Sequence, residues 1–465
     1  IDENEPVSET AESGESALKP VGAAYVSAHL PFFPERPGVY RMLDKAGKIL
    51  YVGKAKNLRR RLENYARPER TCMRIQRMIS QIDRIEIIET ATEAEAFLLE
   101  NDLIKRLKPY YNILLKDDKT FPHILITTRD EWPQVMKHRG ARDKKGEYFG
   151  PFASVLAVNE TLEVLQKAFL LRTCTDNVFY HRARPCLLHQ IKRCSAPCAG
   201  KISREDYRAL ADEACAFMHN KSTKIQEDLA KKMERASLEM RFEEAAVLRD
   251  RIRALNRIQA QSGDLDGISD CDVAAIYTDG EQTCVQVFFY RGGRSCGNFA
   301  AFPTQTAGQT DGEILQAFLG QFYMTHSLPR EILLSTPLPE SDVVSAALSA
   351  KAGWKVKLTD AVRGNRKRLV ERAGMNAKET LIRRRCEGAA RAELLERLRE
   401  LLDIDHPISR VETYDNSHIQ GTSAVGAMIV ATPDGFDKKS YRKFNISWDT
   451  FTPGDDFGMM REVLT

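Results

Sequence analysis

Two tyrosines, an arginine and a glutamate decide what chemistry this chain can attempt. Gly38-Val39-Tyr40 is followed by Tyr51-Val52-Gly53-Lys54-Ala55, and then by Arg61, Tyr65, Glu100 and Asn112. Phenols can orient a water, a guanidinium can hold a phosphate, and a half-buried carboxylate can hold a hard divalent cation. With Lys54 added, the set is a kit for cutting a phosphodiester with one metal ion. Taken singly, each residue has a plainer role. Tyr40 and Tyr51 suit simple strand packing, and Glu100 suits a core carboxylate paired with an arginine.

The elements that must position these groups are legible. Val39-Tyr40 and Ile49 to Val52 are β-rich, with Asp44-Lys45-Ala46-Gly47 between them, which predicts a hairpin over 38–52. Gly53 is expected to let the chain leave the strand at positive φ and approach a phosphate. Asn57 is expected to cap a basic helix carrying Arg59, Arg60 and Arg61, with Arg61 and Tyr65 on one face at i, i+4. In 94–107, Ala96, Leu99, Leu103, Ile104 and Leu107 form an apolar stripe. Glu100 lies inside that stripe, where a carboxylate is costly unless paired or metal-bound.

Pro37-Gly38-Val39-Tyr40, the run Tyr51 to Leu58, Glu95 to Glu100, and Lys108-Pro109-Tyr110-Tyr111-Asn112 together resemble the GIY-YIG nuclease domain. The form is that of the UvrC family of bacterial excision-repair endonuclease subunits. The resemblance implies that Tyr51, with Tyr40 nearby, handles the attacking water. It implies that Arg61 steadies the phosphate and that Glu100 holds Mg2+ or Mn2+. Lys54, Tyr65 and Asn112 complete the candidate set.

At 465 residues several domains are expected, and 43% hydrophobic content permits real cores. The net charge is only +4, so the basic residues matter by clustering. Arg59 to Arg61, Arg363 to Arg368, and Arg383 to Arg385 suit phosphate contact, or merely a solvated face. No run approaches the length of a membrane span and no secretory signal is visible, so a cytoplasmic protein without membrane contact is expected. The acidic, Ser- and Glu-rich start reads as a disordered tail over 1–26.

Ten cysteines in such a chain argue for thiols and metal rather than disulfides. Cys174, Cys186, Cys194 and Cys198 fall in one loop-rich stretch, with His181 and His189 as weaker candidates. Four thiolates there suit tetrahedral zinc or an iron–sulfur cluster, and the spacing does not separate the two. Resemblance to the cysteine-rich region of the same family implies [4Fe–4S]. Cys72, Cys215, Cys271, Cys284, Cys296 and Cys386 are expected to be ordinary buried thiols. The stretch is also basic, through Arg172, Arg182, Arg184, Lys192 and Arg193, which suits DNA backbone.

Residues 223–256 carry two apolar stripes, one through Ile225, Leu229, Met233 and Ala236, the other from Phe242 through Ala245, Ala246 and Ile252. They predict two short antiparallel helices, either a docking unit or a linker packed on its neighbours. Met240 to Ile252 resembles the UVR motif. That implies binding to UvrB, with Phe242 as anchor and Glu243, Ala246 and Arg249 beside it.

Beyond this, alternating residues in 272–303, a helix near 313–323 and a strand near 331–334 predict an α/β unit of degenerate RNase H-like type, without a carboxylate cluster. A basic segment and long helix follow. Val411 to Asp415 then reads as a strand ending in a carboxylate, with His418 close by and Asp455-Asp456 after Pro453-Gly454. Such Asp residues either start a two-metal site or simply build a turn and helix cap. Tyr414 to His418 and Pro453 to Phe457 resemble the family's catalytic RNase H-like domain, which implies that Asp415 and Asp456 are metal ligands. The family's remaining carboxylate and later His lie beyond Thr465, so an incomplete second site is expected.

The expected organisation is a multidomain α/β chain. It comprises the tail (1–26), a GIY-YIG domain (27–125), a cysteine-rich region (126–216), a UVR hairpin (217–258), a degenerate RNase H-like domain (259–355), and a basic helix leading into a second RNase H-like domain (356–465). The function implied is incision of damaged DNA recruited through UvrB in a UvrA–UvrB–DNA assembly, 3′ of the lesion from the N-terminal site and 5′ from the C-terminal one. A non-catalytic adaptor between UvrB and DNA is the alternative.

Overall fold

The computed structural model describes residues 20–115, 120–219, 222–260, 270–360, 363–419, 422–433, 435–446 and 455–465. Residues 1–19 of the expected acidic tail, and Pro453-Gly454, lie outside the described residues; 20–26 do not extend that tail, because Tyr25 and Val26 are buried in a helix. Two compact units divide at Ala377/Lys378.

The first unit opens with helix α1 (Ala23–His29) and the expected hairpin, β1 (Gly38–Leu43) and β2 (Ile49–Ala55). Asp44 holds its turn by accepting hydrogen bonds from the Ala46 and Lys48 N–H groups. With β3 (Arg84–Glu89) the hairpin forms an antiparallel sheet of order β2-β1-β3. Helices α2 (Leu58–Glu63), α3 (Met73–Ser80) and α4 (Glu93–Leu107) complete the layer. Asn57 caps α2 as expected, accepting from Arg60 N–H. Thr92 does the same for α4. One sheet face packs Tyr40, Met42 and Leu50 over α2 and α3, and the other packs Val39 and Val52 under Ala96, Leu103 and Ile104 of α4.

Gly53 departs from expectation. Its φ is not positive, because the strand continues to Ala55. It is opposite Tyr40 in the ladder, and a Cβ there would sit 2.4 Å from Tyr40 Oη. Glycine is needed to make room for the phenol, not to bend the chain.

A second sheet, β5-β4-β6, follows, built from β4 (His123–Ile126), β5 (Val135–His138) and β6 (Glu147–Phe149). Four helices come next: α5 (Val155–Phe169), α6 (Asp176–Tyr180), α7 (Leu187–Gln190) and α8 (Arg204–Met218). The helical hairpin is α9 (Ser222–Leu238) and α10 (Phe242–Ala260). Its helices have 17 and 19 residues, longer than expected. Leu229, Ala236, Leu248 and Leu255 join the main core, and Arg251 pairs with Glu213 of α8 at 3.2 Å.

The five strands that follow are β7 (Asp270–Asp279), β8 (Gln282–Arg291), β9 (Arg294–Ala301), β10 (Glu331–Leu334) and β11 (Lys357–Thr359). Their order is β11-β10-β7-β8-β9: β7, β8 and β9 are an antiparallel meander, and β10 runs parallel to both β7 and β11. Helices α11 (Asp311–Thr325) and α12 (Ser341–Ala352) flank β10 in sequence. Two aspartates of β7 share one arginine. Asp272 is fully buried, 2.6 Å from Arg291 Nη1 and accepting from Tyr323 Oη at 2.6 Å, while Asp270 meets Arg291 Nε at 3.1 Å. The arginine on the neighbouring strand β8 neutralises both carboxylates, which sequence separation hid.

The long helix α13 (Gly364–Leu401) begins on this sheet through Leu369, Val370 and Ala373 and runs into the second unit. That unit pairs β12 (Val411–Ile419), β13 (Thr422–Thr432), β14 (Gly435–Phe436) and β15 (Arg442–Asn445), with β13 central, and ends on α14 (Asp456–Leu464). Strand β12 does not end at Asp415 but runs on to Ile419, because Asp415 to Ser417 keep pairing with β13.

Removing a buried charge partner is far costlier than removing the pair. Asp272→Ala, which leaves the buried Arg291 with Asp270 alone and Tyr323 Oη without its acceptor, is expected to cost roughly 3 kcal/mol. Thermal denaturation checks it; a melting temperature equal to the parent's contradicts the ion pair's importance.

Candidate active site

Tyr40, Tyr51, Arg61, Tyr65 and Glu100 come together although they span sixty residues. Tyr40 Oη lies 2.9 Å from Tyr65 Oη. The ring of Tyr40 stands 6.1 Å from that of Tyr51 and 6.0 Å from that of Tyr65. The Arg61 guanidinium lies 5.9 Å from the Tyr65 ring centre. Glu100 approaches from α4, and its Oε1 accepts the Lys54 N–H at 3.0 Å. Tyr51, Arg61, Tyr65 and Glu100 line one cleft of about 1110 Å³.

Asn112 works differently from its neighbours. Its amide donates to Val52 O at 2.7 Å and accepts Val52 N–H at 2.8 Å. Both ends are spent on the main chain, so it is a positioning residue that fixes β2 beside Tyr51 and Gly53. The Lys54 ammonium is also engaged, with Glu93 at 3.3 Å and Glu340 at 2.8 Å.

The electrostatics follow from enclosure. Burial pushes the phenols of Tyr40 and Tyr51 well above their ordinary range, against the pull of Arg61. Both are protonated at neutral pH and can donate hydrogen bonds. The surrounding phenols hold Arg61 firmly cationic despite its own burial. Burial raises the Glu100 carboxyl to about 7, opposed by the charge and N–H of Lys54 and reinforced by Glu340. Glu100 is therefore a poised carboxylate. An oxygen-donor set of this kind fits a hard divalent cation.

Glu340 was not visible as a site residue in the sequence. It precedes α12, 240 residues beyond Glu100, and Gln316 of α11 fixes it with a 2.8 Å hydrogen bond to its carboxylate. With Glu313, Gln316 and Pro339 it forms the cleft's far wall, so the nuclease-like sheet and the five-stranded sheet's helices share one cavity. A Pro-rich turn before a helix carries no signal that its carboxylate faces Lys54.

Family descriptions match the chain almost end to end. They are a UvrC-like GIY-YIG domain (36–113), the UvrC/Cho excinuclease middle domain (121–217), the UvrB/uvrC motif (223–258), a UvrC ribonuclease H-like domain (270–384) and a UvrC RNAse H endonuclease domain (399–465). UvrABC system protein C of Paramagnetospirillum magneticum is 56% identical over 96% of this chain and 71% of its own length. The Rhodospirillum rubrum protein of the same name is 52% identical over 97% of this chain and 71% of its own. The chain belongs to the UvrC family. As a member it is a DNA endonuclease of nucleotide excision repair. A solved structure, the GIY-YIG N-terminal endonuclease domain of UvrC from Thermotoga maritima bound to magnesium, is 39% identical. It covers 19% of this chain and 94% of its own, with a TM-score of 0.18.

In this UvrC-family chain the four neighbouring cysteines lie near enough to act on one another's thiols. Burial, and then the thiols of Cys186, Cys174 and Cys198, push the Cys194 thiol up to about 11. Cys198 is raised by burial and by Cys174 and Cys186. The rings of His181 and His189 each spend Nδ1 on a backbone carbonyl. Among the described residues no group of three or more Cys, His, Asp or Glu stands ready to hold a metal. Of the scattered cysteines, Cys215, Cys271, Cys284 and Cys296 are buried, but Cys72 and Cys386 are exposed, contrary to expectation.

In the hairpin, Phe242 is 65% exposed, Glu243 and Arg249 are exposed, and Ala246 is half-buried. In the second unit Asp415 is exposed on β12, His418 is half-buried, and Asp456 is exposed at the start of α14. The cap itself is Asp455, which accepts Gly458 N–H at 2.9 Å. No helix of the described residues is long and apolar enough to cross a membrane.

The raised Glu100 carboxyl has a definite stability sign. Its folded form favours the proton, so its contribution is full below the ordinary carboxylate range and is lost as the pH rises through about 7. Metal-free Glu100→Gln protein is expected to melt above the parent at about pH 8 and level with it near about pH 4. Mn2+ is expected to stabilise only the parent, with affinity falling up to about tenfold per pH unit below 7. A variant that melts lower than the parent at high pH contradicts the assignment.

Proposed function

We propose that the N-terminal cleft cuts DNA 3′ of a lesion, in a UvrA–UvrB–DNA assembly, and that Asp415, His418 and Asp456 belong to the site that cuts 5′. The observation that carries the first half is the convergence of Tyr51, Tyr65, Arg61 and Glu100 on one cavity, with Tyr40 buried behind them. Glu100 holds Mg2+ or Mn2+, which supplies Lewis-acid polarisation and charge neutralisation when bound. Arg61, kept cationic, clamps the non-bridging oxygens and balances the charge that grows on them as water attacks phosphorus and one P–O bond breaks. Tyr51, with Tyr40 and Tyr65 behind it, orients the water through its hydroxyl. Asn112 and Gly53 keep these groups in register. Specificity needs no base readout in the cleft, because docking delivers the substrate.

Docking is assigned to the hairpin. Its inner face is spent on the protein's own core, while Leu238, Met240 and Phe242 remain exposed at its turn. These apolar groups suit the matching helical motif of UvrB, with Glu243, Ala246 and Arg249 alongside. Cys174, Cys186, Cys194 and Cys198 are assigned to a thiolate-held centre, [4Fe–4S] with zinc as the alternative, that would pin the loop carrying them. The protein acts in the cytoplasm, where the chromosome lies.

The test is incision of end-labelled, lesion-containing DNA preloaded with UvrA and UvrB. Glu100→Ala is expected to abolish the 3′ cut while leaving UvrB binding intact. A 3′ cut that survives it, or a folded, UvrB-binding parent that never cuts 3′, overturns the assignment and leaves an adaptor. Separately, Phe242→Ala is expected to weaken UvrB binding by about 2 kcal/mol, some thirtyfold, without changing the melting temperature. Unchanged affinity removes Phe242 as the anchor.

A further inference from the structure

The surface over the four cysteines has an odd composition. From Asn177 to Arg204 the chain carries six cations and no Asp or Glu, a charge of +6 over 28 residues against +4 for all 465. Two of the six are spoken for: Arg193 pairs with Glu163 at 2.8 Å and Arg204 with Glu131 at 3.3 Å. Arg182, Arg184 and Lys192 are exposed. Between them, Tyr180 is 65% exposed, Leu187 66% and Ile191 48%. Leu187 and Ile191 are one turn apart, joined by the Ile191 N–H to Leu187 O hydrogen bond at 2.9 Å.

The base beneath is firm. Arg172 is almost wholly buried, donates to Trp132 O and Cys174 O, and lies 4.5 Å from the Phe179 ring centre. Phe179 in turn meets Tyr180 edge to face at 5.0 Å. Cations and large apolar groups are thus exposed along one short stretch of chain, part of it anchored by the buried Arg172 and Phe179.

We propose that this outer surface of the cysteine loop, Tyr180, Leu187 and Ile191 set among Arg182, Arg184 and Lys192, grips DNA whose bases are unstacked. Phosphates match the uncompensated cations. A paired duplex offers only phosphates and leaves the three apolar side chains wet. Unstacked bases present flat apolar faces that Tyr180 can stack on and that Leu187 and Ile191 can wedge against. The proposal rests on the DNA-processing reading and deepens it: the loop reads distortion while the cleft cuts.

The test uses the whole chain and fluorescence anisotropy at several salt concentrations. The probes are a paired duplex, the same duplex with a central unpaired bubble, and a single strand. One variant is Arg182→Gln with Arg184→Gln and Lys192→Gln; the other is Tyr180→Ala with Leu187→Ala. All five side chains are exposed, and melting curves check the fold. The cation variant is expected to weaken all three DNAs and to flatten the log–log salt dependence by roughly 2 to 3. The apolar variant is expected to weaken the bubble and the single strand about tenfold, with the duplex and the salt slope unchanged. Equal weakening of duplex and bubble by the apolar variant overturns the unstacked-base assignment. Parent-like binding by both variants overturns the surface altogether, the result expected if it instead receives an acidic protein segment. A parent that still binds and incises DNA in that case leaves the nuclease reading standing and only this proposal lost.

Discussion

A carboxylate held on the apolar face of a helix is the constraint around which the N-terminal site is arranged. Glu100 cannot stay ionised in that setting without help, and the help comes from β2: the Lys54 N–H donates to it directly. That bond requires β2 to lie in one register against α4, which Asn112 enforces by clamping both polar groups of Val52. The same register puts Gly53 opposite Tyr40, so the phenol has room to reach Tyr65. One costly charge, one amide clamp and one missing side chain therefore define the geometry. The phenols and Arg61 then settle each other's protonation states by proximity.

In the five-stranded unit the buried charges serve support. Where two carboxylates on its first strand could have faced a metal, Arg291 supplies the positive charge, with Tyr323 closing the remaining oxygen of Asp272. Its helix α11 is bound to the nuclease-like layer by polar as well as apolar contacts. Gln321 donates to Ile113 O and accepts Leu115 N–H, and Gly320 leaves space for Asn101. Those contacts carry Glu340 to Lys54, which is why a residue from a distant domain walls the candidate cleft. The helical hairpin shows the same division of labour, with an apolar face buried against α5 and α8 and an apolar turn left open.

Much of this was legible in the residues themselves. Local rules reach as far as a helix turn or a hairpin. The Asn57 cap, the 38–52 hairpin, the apolar stripe containing Glu100 and the two stripes of the helical hairpin all follow from local residue type and spacing, because backbone hydrogen bonding imposes periods of 3.6 and 2. The order of the functional residues carried the family resemblance, since a site assembled from consecutive elements leaves its residues in sequence order.

What the tertiary structure alone decided were the pairings between residues far apart in the chain. Gly53 makes space rather than a turn, because its neighbour across the ladder is Tyr40. Asn112 is a clamp, because the chain after α4 returns beside Val52. The Asp272–Arg291–Tyr323 group and the Lys54–Glu340 bridge join elements whose sequences carry no mark of each other. Cys72 and Cys386 are exposed while four other scattered thiols are buried, although composition treats them alike. Periodicity tells which face of an element is apolar, but not which element covers it. That choice depends on long-range packing and on the burial cost of each charge, which is settled only when the whole chain has closed around it.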